Sequence, residues 1–350
     1  MRDSAPLAAI FRRLIAQQGP ISVQHYMGEA NARYYDSRDP LGSGGDFITA
    51  PEISQMFGEL VGLWLADIWD RAGRPDPVLY VELGPGRGTL ARDALRVCAR
   101  QGLHMQVHFV EGSGVLAAVQ REVVRGAIWH RDLSTVPTDA PLLLVANEFL
   151  DALPVRQMVM TPGGWRERMV GLDDERFVPV VGSRPMDAAV PEDRKSAPPG
   201  TIIETCPGAA AVTGEVAQRL GHQGGAALII DYGYDRPQTG STLQAVRAHR
   251  RCDPFEAPGE ADLTALVDFA VLAEVAHARG CRWLGTAGQG AWLLALGIET
   301  RAAQLAAAAP AQAEAIAGAL RRLIDPGEMG TLFKVMGLAA PGWPQGVGFK

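Results

Sequence analysis

The run Leu79-Tyr80-Val81-Glu82-Leu83-Gly84-Pro85-Gly86-Arg87-Gly88-Thr89-Leu90 reads as a strand, a tight turn and a helix start with nothing between them. Glycine takes positive φ without strain and lets another group come close to the backbone. A buried strand that ends in such a turn and restarts as a helix is the opening unit of a parallel sheet, because the helix carries the chain back across one face. Beyond Pro75 and Pro77 the chain keeps this rhythm. Strands are expected at 78–83, 106–111, 127–130, 142–147, 226–231, 282–285 and 331–336, and helices at 88–101, 114–125, 209–221, 262–279 and 289–322. The fold class is therefore α/β: a Rossmann-like, seven-stranded, mostly parallel sheet with helices on both faces. Ligands of such sheets lie at the carboxyl ends of the strands.

Two kinds of segment stand outside that rhythm. Residues 1–74 read as a helical amino-terminal cover, ahead of a main domain at 75–340. Leu7, Ile10, Phe11, Leu14 and Ile15 share one helical face, and Ser22 is placed to cap a second helix carrying Val23, Tyr26 and Met27. Gly42 to Gly45 form a loop, and Ala50-Pro51-Glu52 opens a third helix whose stripe is Phe57, Leu60, Val61, Trp64, Leu65 and Ile68. Within the main domain, insertions are expected at about 155–205 and 233–260. The first begins as a β-hairpin, with Val155–Met160 turning at Pro162-Gly163-Gly164 into Trp165–Val170, then Phe177–Val181, and ends in a charged, proline-rich loop at 184–200. The second, with Tyr234, Arg236, Arg247, His249, Arg250 and Arg251, reads as an irregular lid.

Composition excludes several classes. Net charge is −6 and no dense Lys/Arg block occurs, so nucleic acid is not an expected partner. No apolar run reaches the length of a membrane span, and the first 19 residues are amphipathic rather than signal-like. Cys98, Cys206, Cys252 and Cys281 are widely spaced, which suits neither zinc nor a disulfide framework. No metal is expected, and His104 and His108 do not change that, because strand geometry separates them. The expected location is the cytoplasm of a bacterium, or the mitochondrial matrix in a eukaryote. Oligomeric state is not legible.

The glycine loop narrows its ligand through two details. Its third glycine comes one residue too early for a dinucleotide fingerprint, and Glu82 closes the strand. A carboxylate there repels a pyrophosphate and attracts a ligand carrying ammonium and sulfonium groups, which describes S-adenosyl-L-methionine. A nicotinamide-dependent oxidoreductase is the rival on the same kind of sheet. Gly84, Pro85, Gly86, Gly88 and Thr89 would cradle the ligand. Glu111, at the end of the next strand, would accept both ribose hydroxyls, and Asp132 would take the adenine amino group. The blander reading is a tight turn with two surface acids. After the fourth strand, Asn147-Glu148-Phe149-Leu150-Asp151 places Asn147 at the cofactor. Glu148 and Asp151 are candidate catalytic residues that orient a guanidinium by charge-assisted bonds, although a helix cap and a solvated acid would look the same. Asp231, ending the fifth strand, is a third candidate. The stretch Gly44 to Glu52 is expected to fold over the cofactor, with Thr49 or Glu52 near the pocket.

These segments resemble one family. Gly45-Asp46-Phe47-Ile48-Thr49-Ala50-Pro51-Glu52-Ile53-Ser54-Gln55, Val81–Leu90, Asn147–Pro154, Asp231-Tyr232-Gly233, Pro258–Thr264, Val267-Asp268-Phe269 and Met329–Val335 are similar to the MidA, or NDUFAF-seven-like (DUF185-type), family. The resemblance runs in order from about Gly19 to Gly337. It implies a class I methyltransferase fold using S-adenosyl-L-methionine, protein-arginine N-methylation, and a substrate protein such as a respiratory complex I subunit. The stretch Ala30 to Tyr35 departs from the family pattern. A binding-only assembly factor or chaperone, and a small-molecule methyltransferase, are the alternatives on the same fold.

Overall fold

The structure, a computed structural model, describes residues 6–37, 49–247 and 250–349. Two compact units divide the chain, and each is assembled from three separate stretches. The sheet unit draws on 39–150, 210–235 and 267–350, and the second unit on 1–38, 151–209 and 236–266.

Seven main strands build the sheet unit: β1 (Leu79–Leu83), β2 (Gln106–Val110), β3 (Ile128–His130), β4 (Leu142–Asn147), β5 (Gly225–Tyr234), β6 (Arg282–Gly288) and β7 (Phe333–Ala339). Across the sheet their order is β6-β7-β5-β4-β1-β2-β3. Only β7 runs against its neighbours. A two-residue strand, Val267–Asp268, pairs in parallel with the end of β5. Chain order reverses between β1 and β4, and the crevice at that reversal is where open α/β sheets bind their ligands. Every residue of β1 and β4 is buried, so both read as unbroken apolar runs apart from Glu82 and the terminal Asn147.

Helix Gln55–Arg71 belongs to this unit and lies against helix Thr89–Arg100. The approach is close because Gly58 and Gly62, four residues apart, present bare backbone on one face. A Cβ at Gly62 would sit 2.4 Å from the carbonyl oxygen of Ala94. Trp64 and Phe57, both fully buried, fill the flanks. A boundary at residue 74 would separate this helix from the sheet it packs on. The compact units instead leave it with the sheet, while residues 6–37 join the insertions.

Two expected helices are divided and a third starts late. The helix opening at Ala50 stops at Ile53, and Ser54 starts the next one by accepting the Met56 amide at 3.2 Å. The helix expected at 262–279 begins only at Phe269, capped by Asp268. Residues Asp262–Thr264 ahead of it are a strand. The helix expected at 289–322 breaks at Gly297, with φ of 85°, and again at Pro310.

In the second unit the expected hairpin forms. Strands Arg156–Thr161 and Gly164–Asp173 pair antiparallel, and Arg176–Pro185 joins the latter. Ile21–Ser22 and Ile202–Thr205 complete that sheet. The stretch read as an irregular lid contains strands Gln244–Arg247 and Arg250–Cys252, which pair with one another; Asp262–Thr264 pairs on the far side of the first. His249 lies outside the described residues. Helices Leu7–Gln18 and Val23–Ser37 supply Phe11, Tyr26 and Met27 to a core shared with Val170, Phe177, Phe255 and Leu263. Among the described residues no helix is long and apolar enough to cross a membrane.

Candidate active site

At the end of β1, residues two apart share a face, so Tyr80 and Glu82 stand side by side. The Tyr80 hydroxyl donates to Glu82 Oε2 at 2.6 Å, and both side chains are buried. Burial pushes the Glu82 carboxyl up to about 7, against a smaller downward pull from the Tyr80 hydrogen bond. Glu82 therefore titrates near neutrality, and a cation beside it would favour the ionised form.

The turn that follows is built on three left-handed glycines, Gly84 (φ 59°), Gly86 (φ 55°) and Gly88 (φ 80°). The protein itself demands the first: a Cβ at Gly84 would lie 2.7 Å from the Phe149 ring. Pro85 accepts the Gly88 amide at 2.8 Å. Thr89, the first residue of the helix, donates its hydroxyl to Glu52, so the short helix at Ala50–Ile53 is tied to the glycine turn. Thr49 is partly buried just ahead of it. Gly44 to Ile48 lie outside the described residues.

Glu111, just beyond β2, is half-buried and held from two sides. Its Oε1 accepts the Ser113 amide at 2.7 Å and its Oε2 accepts the Gln120 side-chain amide at 2.9 Å. Burial nonetheless raises its carboxyl above the usual range. Asp132 is exposed and accepts the Ser134 amide at 2.8 Å, capping a short turn after β3. Its carboxyl sits below the usual range because the Ser134 hydroxyl and then the Ser134 amide favour its ionised form, so the capping role is the one its geometry displays.

Beyond β4 the backbone turns sharply. Glu148 has φ of 50°, which costs a non-glycine residue energy and is held only where its surroundings require it. Its amide donates to the Ile230 carbonyl at 2.8 Å, and its Oε1 accepts from the Ala50 amide at 3.0 Å and from Asn147 at 3.3 Å. Asp231 is fully buried and accepts the Phe149 and Leu150 amides at 3.2 and 2.9 Å. It fastens the loop that carries Glu148. Asp151 falls on the other side of the division between units. Buried there, its charge acts on the Tyr35 hydroxyl, and its carbonyl accepts the Ala265 amide at 3.0 Å.

The structure thus gathers Glu82, the glycine turn, Thr89 and Glu111 along β1 and β2, and Asn147, Glu148 and Asp231 along β4 and β5. It does not place Asp151 in the same unit. Two residues escaped the sequence reading: Tyr80, hidden in an apolar strand, and Gln120. The signal for Gln120 was available, because it falls on the same face of helix Gly114–Val123 as buried Leu116 and Ala117, where a polar residue needs a partner.

The donor set fits S-adenosyl-L-methionine. Asn147 Oδ1 is buried at the carboxyl end of β4 and has no hydrogen-bond partner among the described residues. A buried acceptor left open in this way calls for a donor from outside. Glu82 supplies negative charge, and Glu111 keeps an accepting edge.

A family model of S-adenosyl-L-methionine-dependent methyltransferases matches residues 60–287. The chain belongs to this methyltransferase family. It is an S-adenosyl-L-methionine-dependent enzyme with the class I fold. A protein from Burkholderia thailandensis, solved bound to S-adenosyl-homocysteine, superposes with a TM-score of 0.85 at 30% identity, covering 98% of this chain and 93% of that one. The mitochondrial protein arginine methyltransferase NDUFAF7 of Homo sapiens is 36% identical, over 95% of this chain and 84% of its own. Its Drosophila melanogaster homologue is 37% identical over the same shares.

Proposed function

We propose that this methyltransferase transfers its methyl group to arginine nitrogen in a protein substrate, a respiratory complex I subunit or a protein like it. The observation that carries the reading is Glu148: a carboxylate held on strained backbone at the end of β4, with one oxygen fixed by the Ala50 amide. Positive φ at a non-glycine residue in a ligand crevice marks a side chain kept in place for function. A fixed carboxylate orients a guanidinium and favours the nitrogen lone pair for in-line attack. The arginine methyltransferases NDUFAF7, more than a third identical over nearly the whole chain, support the same substrate class.

In this reading Glu82, Gly84, Pro85, Gly86, Gly88, Thr89, Glu111 and Asn147 hold the cofactor, which when bound supplies an electrophilic methyl on a sulfonium. Glu148 orients the acceptor nitrogen. Asp231 acts as a positioning residue by fixing the loop that carries Glu148. The reaction would take place in the cytoplasm of a bacterium or the matrix of a mitochondrion.

Incubation with methyl-labelled S-adenosyl-L-methionine and lysate of a strain lacking the protein tests this directly. One labelled protein band, with label on arginine after hydrolysis, is the expected result. Glu148→Gln should lower turnover by about 100-fold while cofactor affinity stays within about twofold. Label on another residue, or unchanged turnover in Glu148→Gln, would overturn the proposal.

A further inference from the structure

We infer that Gln120 and Trp129 form a relay that sets the cofactor site's preference for a ribose by fixing the Glu111 carboxylate against the glycine turn. The inference rests on the reading that Glu111 accepts the ribose hydroxyls. Gln120 is fully buried on helix Gly114–Val123. Its Nε2 donates twice, to Gly86 O at 2.8 Å and to Glu111 Oε2 at 2.9 Å. Its Oε1 accepts the Trp129 indole N–H at 2.8 Å.

Each of the two amide hydrogens therefore has an acceptor, and the amide oxygen has a donor. Indole is a donor only, so Trp129 can face the amide oxygen but not the nitrogen. That decides which way the amide points. With Oε1 turned to Trp129, both N–H groups face the turn and Glu111. Trp129 is itself held by the Phe109 ring, edge-on at 5.9 Å, and by the Arg121 guanidinium 4.8 Å from its ring centre. Glu111 Oε1 is fixed by the Ser113 amide. Gln120 removes the remaining freedom of Oε2, and so decides where the carboxylate presents its free lone pairs. A carboxylate placed for two neighbouring hydroxyls rejects a sugar lacking one, because an acceptor is then left unpaired. Gln120 touches no reacting atom in this scheme and acts through Glu111.

The test compares the dissociation constants of S-adenosylhomocysteine and its 2′-deoxyribose analogue by titration calorimetry on the full chain. The wild type should prefer the ribose by more than about tenfold. Glu111→Ala should lose that preference, and Gln120→Met, similar in volume, should lose most of it while kcat at saturating cofactor changes by less than about threefold. Unchanged preference in Glu111→Ala would sink the ribose reading itself. Lost preference in Glu111→Ala with intact preference in Gln120→Met would overturn the relay and leave the ribose reading standing. Should Gln120→Met not fold, Trp129→Phe removes only the orienting N–H and keeps a ring in place; a preference reduced by about threefold supports the relay, and an unchanged one overturns it.

Discussion

The sheet unit and the second unit are made from the same chain by different means. The central strands of the sheet unit are buried on both faces and carry their own signature: Leu142–Asn147 is apolar residue by residue until Asn147. Their neighbours follow from chain order and the right-handed crossover, so local pattern nearly dictates the architecture. The second unit joins helices from the first 38 residues to strands more than a hundred residues later. What holds it is specific rather than periodic. Asn31, buried, donates to the carbonyls of Ala152 and Leu263 at 2.9 and 2.7 Å and accepts the Leu263 amide at 3.0 Å. Periodicity specifies layers, whereas long-range side-chain-to-backbone bonds specify joins, and only layers are legible one residue at a time.

The comparison is broken most severely by striking the sheet where its backbones meet. Gly225 has φ of 119°, and a Cβ there would lie 1.9 Å from the Leu142 carbonyl oxygen. Gly225→Val should cost more than ~4 kcal/mol and abolish both the folded sheet unit and S-adenosylhomocysteine binding, read by thermal unfolding and calorimetry. A cooperative transition near the wild-type temperature would show that the β4–β5 pairing matters less than its geometry implies.

Asn31→Ala strikes the second unit alone. Three hydrogen bonds lost to backbone should cost about 2–4 kcal/mol and show as faster amide exchange at Leu263, whose N–H loses its acceptor. The sheet unit's affinity for S-adenosylhomocysteine should stay within about twofold. If exchange accelerates equally in β1 and β4, the two units unfold as one and the comparison fails.

Glu82 sharpens the contrast from the sheet side. Folded Glu82 keeps its proton to about 7, while an unfolded glutamate loses it near 4.5. Between those values the ligand-free fold binds more protons than the unfolded chain, so its stability falls as pH rises across the window. A cationic ligand needs the carboxylate ionised, so affinity moves the opposite way. The dissociation constant for S-adenosylmethionine should be roughly tenfold weaker around pH 6 than around pH 8, with proton release on binding detectable in buffers of different ionisation enthalpy. Glu82→Gln should bind more weakly and lose the dependence; a dependence that persists in it must come from another group.

The smallest effect is expected at Asp132. Its carboxylate already caps the turn at Ser134, so Asp132→Ala should change cofactor affinity by less than about twofold. A loss of tenfold or more would restore it to the adenine pocket.

Legibility of the candidate site followed the same division. Glu82, the three glycines and Glu111 stand at strand ends, and a strand end is a place that sequence can name. Gln120 was missed because its partners, Gly86, Glu111 and Trp129, come from three different connections. Glu148 and Asp151, three residues apart, invited one reading, yet the boundary between units passes between them. Asp231 was expected to end the fifth strand, which instead runs on to Tyr234. Its work on the Phe149 and Leu150 amides needed the fold to be seen. The helix expected at 262–279 failed because Asp262–Thr264 pairs with Gln244–Val246, an edge hydrogen-bond demand that composition does not carry.

By itself, the sequence determined an α/β sheet with a cofactor turn after its first strand. Burial periodicity and the φ freedom of glycine are properties of neighbours in the chain. Tertiary structure alone decided which polar groups meet. It set Tyr80 against Glu82 in a shared burial, Gln120 between a turn and a carboxylate, and Glu148 on a strained backbone fixed by the Ala50 amide. A buried polar group must find its partner wherever the packed fold brings one, and sequence distance sets no limit on where that is.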